Sequence, residues 1–241
     1  SFDQIFVHRM VFIMLMAGTA LSVLSFFFSD AYVGVEVRQV LTLFGAQIDP
    51  NNLAALELTA ATIAMYYIFV KKKNSVLFFL ILVINVVAMM LTASRGGLVS
   101  LGAVILCFLF FSSNGKKNAA LNLLIKLILF GICCFIIYLI VEKVLPEDIY
   151  QRLFDFESYE GGSFRTTLWT QALQWVSQRP FFGLGWGGYQ LTIHNTYIEM
   201  LCDVGLVGTS FFLCVLGIIG YKSIKSKNVL AIALLVTGFV P

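Results

Sequence analysis

Long apolar runs separated by short polar loops set the pattern of this chain. Seven runs stand out: Met10–Ser29, Leu53–Val70, Ser75–Ala93, Gly97–Ser112, Ala120–Val141, Thr196–Tyr221, and one that begins at Val229. Most are long enough to cross roughly 30 Å of hydrocarbon at about 1.5 Å per residue. The fourth is short, and the seventh is cut off at Pro241. The pattern predicts an all-α, polytopic helical membrane protein with about seven transmembrane helices, forming one transmembrane domain over 1–241. The chain opens on Ser1 and stops inside an apolar run, so it is expected to be a fragment of a larger bundle. His8 and Arg9 flank the first run as in a signal peptide, but the run is too long for a signal core and is taken as a spanning helix.

Composition agrees with the pattern. Hydrophobic residues make up 59% of the chain, charged residues 12%, and the mean hydropathy is +0.91. Soluble domains run to about 45–50% apolar and roughly 25% charged residues. This balance excludes a cytosolic enzyme, a disordered protein and a disulfide-stapled secreted domain. The five cysteines, Cys107, Cys133, Cys134, Cys202 and Cys214, all lie in apolar stretches and read as small fillers. No Cys/His spacing suggests a metal. The net charge of +3 implies no nucleic acid.

The placement of charge carries more than its sum. One set of loops holds Arg9, Lys71, Lys72, Lys73, Lys116, Lys117, Lys222, Lys225 and Lys227, with Asp3 as its only acid. The alternate set mixes basic residues with nine acids. The positive-inside rule puts the lysine loops in the cytoplasm. The N-terminus is then inside, and about 30–52, 94–96 and 142–195 face outward. Lys126 snorkels from near the cytoplasmic end of its run.

The outer loop, 142–195, is not composed like a linker. Phe164, Leu168, Ala172, Trp175 and Val176 recur at helical spacing, with Ser163 as the expected N-cap and Pro180 as the stop. An amphipathic helix is predicted there. Trp169, Trp175 and Trp186 suit the headgroup level. Glycines at 183, 185, 187 and 188 permit close backbone approach, to a ligand or within an irregular turn.

Several ionisable groups sit where the membrane makes them costly. Arg95, in Thr92-Ala93-Ser94-Arg95-Gly96-Gly97, has no acid nearby in sequence. At a helix centre such a charge costs roughly 2.5–3.5 kcal/mol, less near an end. An anionic ligand is a reasonable partner, and an interfacial anchor is the plainer alternative. Arg165 opens the loop helix, unless it is simply solvated. His194 lies where the sixth run meets the outer side and can act as a base or only cap a helix. Glu199 and Asp203, four residues apart, share a helical face and can pair with the arginines, orient His194 or relay protons. Asp49-Pro50-Asn51-Asn52 reads as a turn into a helix, with Glu57 early in that helix.

The motifs PNNLA, TASRGG, FRTTLW with RPFFGLGWG, and HNTYIEMLCDVGLVG occur in that order over about residues 45–215. Together they resemble the O-antigen ligase / O-antigen polymerase superfamily of bacterial membrane glycosyltransferases. The resemblance implies a metal-independent, inverting enzyme without cofactor in the bacterial cytoplasmic (inner) membrane, with its active site on the outer face. The donor would be an undecaprenyl-diphosphate-linked oligosaccharide. The acceptor would be a sugar hydroxyl on a lipid-linked repeat unit or on lipid A-core, in lipopolysaccharide, O-antigen or capsule synthesis. It further implies Arg95 and Arg165 as diphosphate-binding residues and His194 as catalytic base, with Asn195, Tyr197, Glu199 and Asp203 in support. A repeat-unit polymerase is slightly favoured over a ligase. Members carry about ten or more membrane segments, against seven here. The competing expectations are a transporter of a glycan or anionic solute, and a structural or sensor protein.

Overall fold

A computed structural model describes residues 2–33, 37–72, 75–111, 124, 127–128, 131, 147–154, 161–189, 193 and 195–239. The elements run α1 (Phe2–Phe28), β1 (Ser29–Val33), β2 (Val37–Leu43), β3 (Ala46–Gln47), α2 (Pro50–Phe69), α3 (Ser75–Leu91), α4 (Arg95–Phe111), α5 (Glu147–Phe154), α6 (Gly161–Gln178), α7 (Thr196–Lys225) and α8 (Val229–Phe239). The protein is an all-α membrane protein, with one small antiparallel ribbon among the described residues. Among the described residues, α1, α2 and α7 are long and apolar enough to cross a membrane, and α3, α4 and α8 are shorter apolar helices. The run Ala120–Val141 lies almost wholly outside the described residues.

The chain divides into two compact units. The first comprises Ser1–Phe154 with Lys227–Val240, and α2 is its hub, packed on α1, α3, α4 and α8. Small side chains make this possible. Ala60, Ala61 and Ala64 are fully buried, and a Cβ added at Gly18 of α1 would lie 2.6 Å from the Ala60 Cβ. Apolar helices gain little from water exclusion inside a bilayer, so such close backbone approach is what joins them. Leu15, Ile63, Tyr67 and Ile81 complete one core cluster. Met65, Val104, Phe108, Val229 and Ala233 make another, joining α2, α4 and α8.

The connection from α1 to α2 is a ribbon rather than a plain loop. Ser29 pairs with Leu41 and Val33 with Val37, then Thr42 pairs with Gln47. Phe44 and Gly45 turn the chain at φ 52° and 79°. The β-branched Val37, Val40 and Thr42 of Val37–Leu43 suit a strand.

The second unit comprises Asp155–Ser226 and pairs α6 with α7. Helix α6 starts at Gly161, so Ser163 sits inside the first turn instead of capping it. Leu168 and Ala172 are buried as the spacing predicts.

Candidate functional site

In the first unit, two helix N-termini are tied together. The Asp49 carboxylate caps α2 by accepting from the Asn51 and Asn52 amides, with Pro50 in the first helical turn where its missing N–H costs nothing. Ser94 caps α4: its hydroxyl accepts from the Gly97 amide at 3.2 Å and donates to Asn51 Oδ1 at 3.1 Å. Arg95 is therefore the first helical residue of α4, half-buried, one position from this bond. The turn that delivers it is tight. Ala93, fully buried at φ 52°, packs with Ile149 and Leu153 of α5. Gly97 keeps α4 close to α3 and α2, with Met89 Sδ 3.3 Å and Ala54 Cβ 3.4 Å from a Cβ placed there.

Helix α5 was not foreseen within 142–195. It is short and two-faced, with Ile149 and Leu153 buried and Glu147 and Gln151 exposed and hydrogen-bonded to each other.

In the second unit, Asn195 caps α7 through bonds from the Tyr197 and Ile198 amides at 3.1 and 3.2 Å. Glu199 reaches back from the first turn and accepts from the Ile193 amide at 3.1 Å. The Ile193 carbonyl in turn accepts from Trp169 Nε1 at 3.2 Å. The backbone on either side of position 194 is thus held by α6 and α7. His194 itself and the Arg165 side chain lie outside the described residues.

Trp169 and Trp175 are half-buried in the interior of this unit. They pack against the buried cluster of Ala172, Ile193 and Cys202, and Trp175 stacks on Tyr189 at 5.6 Å between ring centres. Trp186 alone of the three is fully exposed. Cys202 is a buried filler whose thiol points at the Ala172 carbonyl, 3.6 Å away.

Helix α7 is broken. Gly205 adopts φ 65° and ψ −168°, and the Pro180–Gly185 segment fills the gap with backbone. The Leu184 and Gly185 amides donate to the Cys202 and Asp203 carbonyls at 2.6 and 3.1 Å. The Leu206 and Val207 amides donate to the Pro180 and Phe181 carbonyls at 2.8 and 3.1 Å. The loop thus satisfies two of the carbonyls and two of the amides at the break. A Cβ at Gly205 would meet the Phe181 carbonyl at 2.5 Å, and one at Gly183 the Asp203 carbonyl at 2.6 Å. The close approach that Gly183 permits is therefore to the chain's own helix. The residues after the break, Leu206–Lys225, extend for about 30 Å at 1.5 Å per residue, enough for one crossing. Glu199 and Asp203 lie on the short segment before it.

Asp203 sits at that break, its Oδ1 buried without a hydrogen-bond partner among the described residues. Its carboxylate faces Tyr189. Burial, then the Asp203 and Glu199 carboxylates, push the Tyr189 hydroxyl well above the usual tyrosine range. Of the residues expected in the site, Asn195, Tyr197, Glu199 and Asp203 stand together on the first turns of α7, and Arg95 belongs to the other unit. Among the described residues no three His, Cys, Asp or Glu side chains gather as a metal centre. Sequence reasoning missed Tyr189, whose only signal was its place after the glycine cluster.

A family model described as O-antigen ligase matches residues 79–213, more than half of the chain. No curated protein matches the chain, and no solved structure does.

Proposed function

The chain belongs to the O-antigen ligase family, and from that premise we propose that it moves a glycan from undecaprenyl diphosphate to an acceptor sugar hydroxyl on the outer face of the bacterial inner membrane. As a member it is a glycan-transferring membrane enzyme. The acceptor decides between its two forms: a lipid-linked repeat unit makes it a polymerase, which we favour, and lipid A-core makes it a ligase.

The observation that carries the reading is the setting of Arg95. It begins α4 beside the Ser94 cap, and Asn51 brings the N-terminal turn of α2 to the same place. The N-terminus of α4 carries partial positive charge and favours anions, whereas that of α2 already holds the Asp49 carboxylate. A guanidinium at the start of α4 suits a diphosphate, whose oxygens it binds in pairs.

In the reaction, the acceptor hydroxyl oxygen attacks the anomeric carbon, and the bond from that carbon to the diphosphate oxygen breaks. The electron pair leaves with the lipid diphosphate, and the hydroxyl proton passes to His194. Charge grows on the leaving group as the bond opens, so guanidinium groups bound to it stabilise the transition state more than the ground state, the role we assign to Arg95 and Arg165. They take the part a divalent metal plays elsewhere. Attack opposite the leaving group inverts the anomeric centre. Glu199 and Trp169 hold the backbone of Ile193, the residue before the proposed base.

The test uses proteoliposomes supplied with a lipid-linked oligosaccharide. His194→Ala and Arg165→Ala are expected to abolish transfer while membrane insertion stays intact. Near-normal product would overturn the reading, and it is what a carrier or sensor predicts. A cysteine placed at Glu157 is expected to react with an impermeant maleimide in intact cells, and labelling only after permeabilisation would reverse the orientation.

A further inference from the structure

Beneath the Asn51–Ser94 bond, α1, α2 and α3 enclose polar side chains that the transfer chemistry does not use. Glu57 is fully buried, and neither carboxyl oxygen has a hydrogen-bond partner among the described residues. The Ser22 and Ser25 hydroxyls are its polar neighbours, and no charged side chain among those residues acts on it.

The donor hydrogens around it are already engaged. Ser22 Oγ lies 2.9 Å from Asn85 Oδ1 and 3.1 Å from the Gly18 carbonyl. Ser25 Oγ donates to the Ser22 carbonyl at 2.8 Å. Asn85 Nδ2 directs its two hydrogens to Thr19 Oγ1 at 3.0 Å and the Ile81 carbonyl at 2.8 Å. The Thr19 hydroxyl donates to the Leu15 carbonyl at 2.7 Å. A hydroxyl has one hydrogen and two lone pairs, so with that hydrogen engaged elsewhere Ser22 and Ser25 keep lone pairs to offer a cation. A carboxyl buried in a dry interior without a hydrogen-bond partner or an opposite charge is short of positive charge.

We propose that Glu57, Ser22 and Ser25 form an intramembrane oxygen site that holds one small monovalent cation, a proton or a sodium ion. A proton makes the carboxyl a donor to the serine oxygens. A sodium ion gathers carboxyl and hydroxyl oxygens, the ligands hard cations take. One carboxyl balances one positive charge, which selects a monovalent ion. Glu57 lies two turns into α2, Ser25 near the end of α1 and Asn85 near the end of α3, all toward the end of the unit where Asn51 meets Ser94. The occupant therefore steadies the start of α2, and with it the turn that carries Arg95.

Thermal unfolding of the purified full chain in sodium or choline at equal ionic strength, together with its infrared carboxyl band, tests this. A sodium-specific rise in Tm that Glu57→Gln lacks identifies sodium. A Tm indifferent to sodium, with a protonated carboxylic acid band that Glu57→Gln lacks, identifies the proton. Ser25→Ala keeps the carboxyl and is expected to move the sodium midpoint or the band, which covers the case in which Glu57→Gln does not fold. An ionised Glu57 in sodium-free buffer with no sodium effect, or a Ser25→Ala variant that moves neither signal, would overturn the proposal. Neither readout involves glycan transfer, so the site can fail while the transferase reading stands.

Discussion

The Ser94 hydroxyl donates to Asn51 Oδ1 across 3.1 Å and so joins the first turn of α2 to the cap of α4. The same hydroxyl accepts from the Gly97 amide. Ser94→Ala removes both bonds. Loss of a cap costs about 1 kcal/mol, and the second bond adds about 0.5–1.5 kcal/mol. A lower Tm in detergent is expected, with a larger loss of transfer because Arg95 is the next residue. An unchanged Tm would show that the bridge contributes nothing.

Gly205→Ala should be among the most damaging single changes in the second unit. At φ 65° and ψ −168°, a region essentially reserved for glycine, a side chain costs about 1–3 kcal/mol, and the new methyl meets the Phe181 backbone, which cannot yield without breaking its bonds. Gly217→Ala, in the same helix with open space around it, is the control. Size-exclusion profiles of the solubilised variants should show loss of the folded peak for the first and none for the second.

The apolar runs gave most helix positions, because a bilayer accepts only internally bonded backbone and any run of that length must be helical. Helices α2, α3, α4, α7 and α8 start within three residues of their predicted starts. The break at Gly205 was hidden for a related reason. Glycine is common in membrane helices, and no local pattern separates one that packs from one that adopts a positive φ. The loop that fills the gap lies about twenty residues earlier, a tertiary fact no window contains. Ser163 failed as a cap because two glycines before it were admitted to the helix. In the site, the capping roles of Asp49 and Asn195 follow from residue type and position. The Glu199–Ile193 bond and the Tyr189–Asp203 pair depend on how the loop folds back.

Glu199→Ala and Glu199→Gln should separate. Both end the negative charge at the start of α7, worth about 0.3–1 kcal/mol against the helix dipole. Only alanine also leaves the Ile193 amide without its acceptor, a further cost of about 1–3 kcal/mol. Transfer by the glutamine variant should exceed that of the alanine variant at equal expression. Equal losses would mean that charge, not the bond, is what matters.

Tyr189 predicts an alkaline signature. Its hydroxyl is raised in the folded protein above the ordinary value of 10.0. Above about pH 10 the unfolded chain binds fewer protons than the folded one, so stability falls as pH rises. The fall should be shallower in Tyr189→Phe. Parallel Tm profiles above that pH would contradict the buried, carboxylate-facing hydroxyl.

The four backbone bonds at the α7 break also say where the chain tolerates a change of length. They lie in step, Pro180 and Phe181 with Leu206 and Val207, Leu184 and Gly185 with Cys202 and Asp203. One residue inserted into either stretch would slide every partner out of line. Past Gly185 those four bonds set no such limit, and the turn tipped by Trp186 can change length while they stay in register.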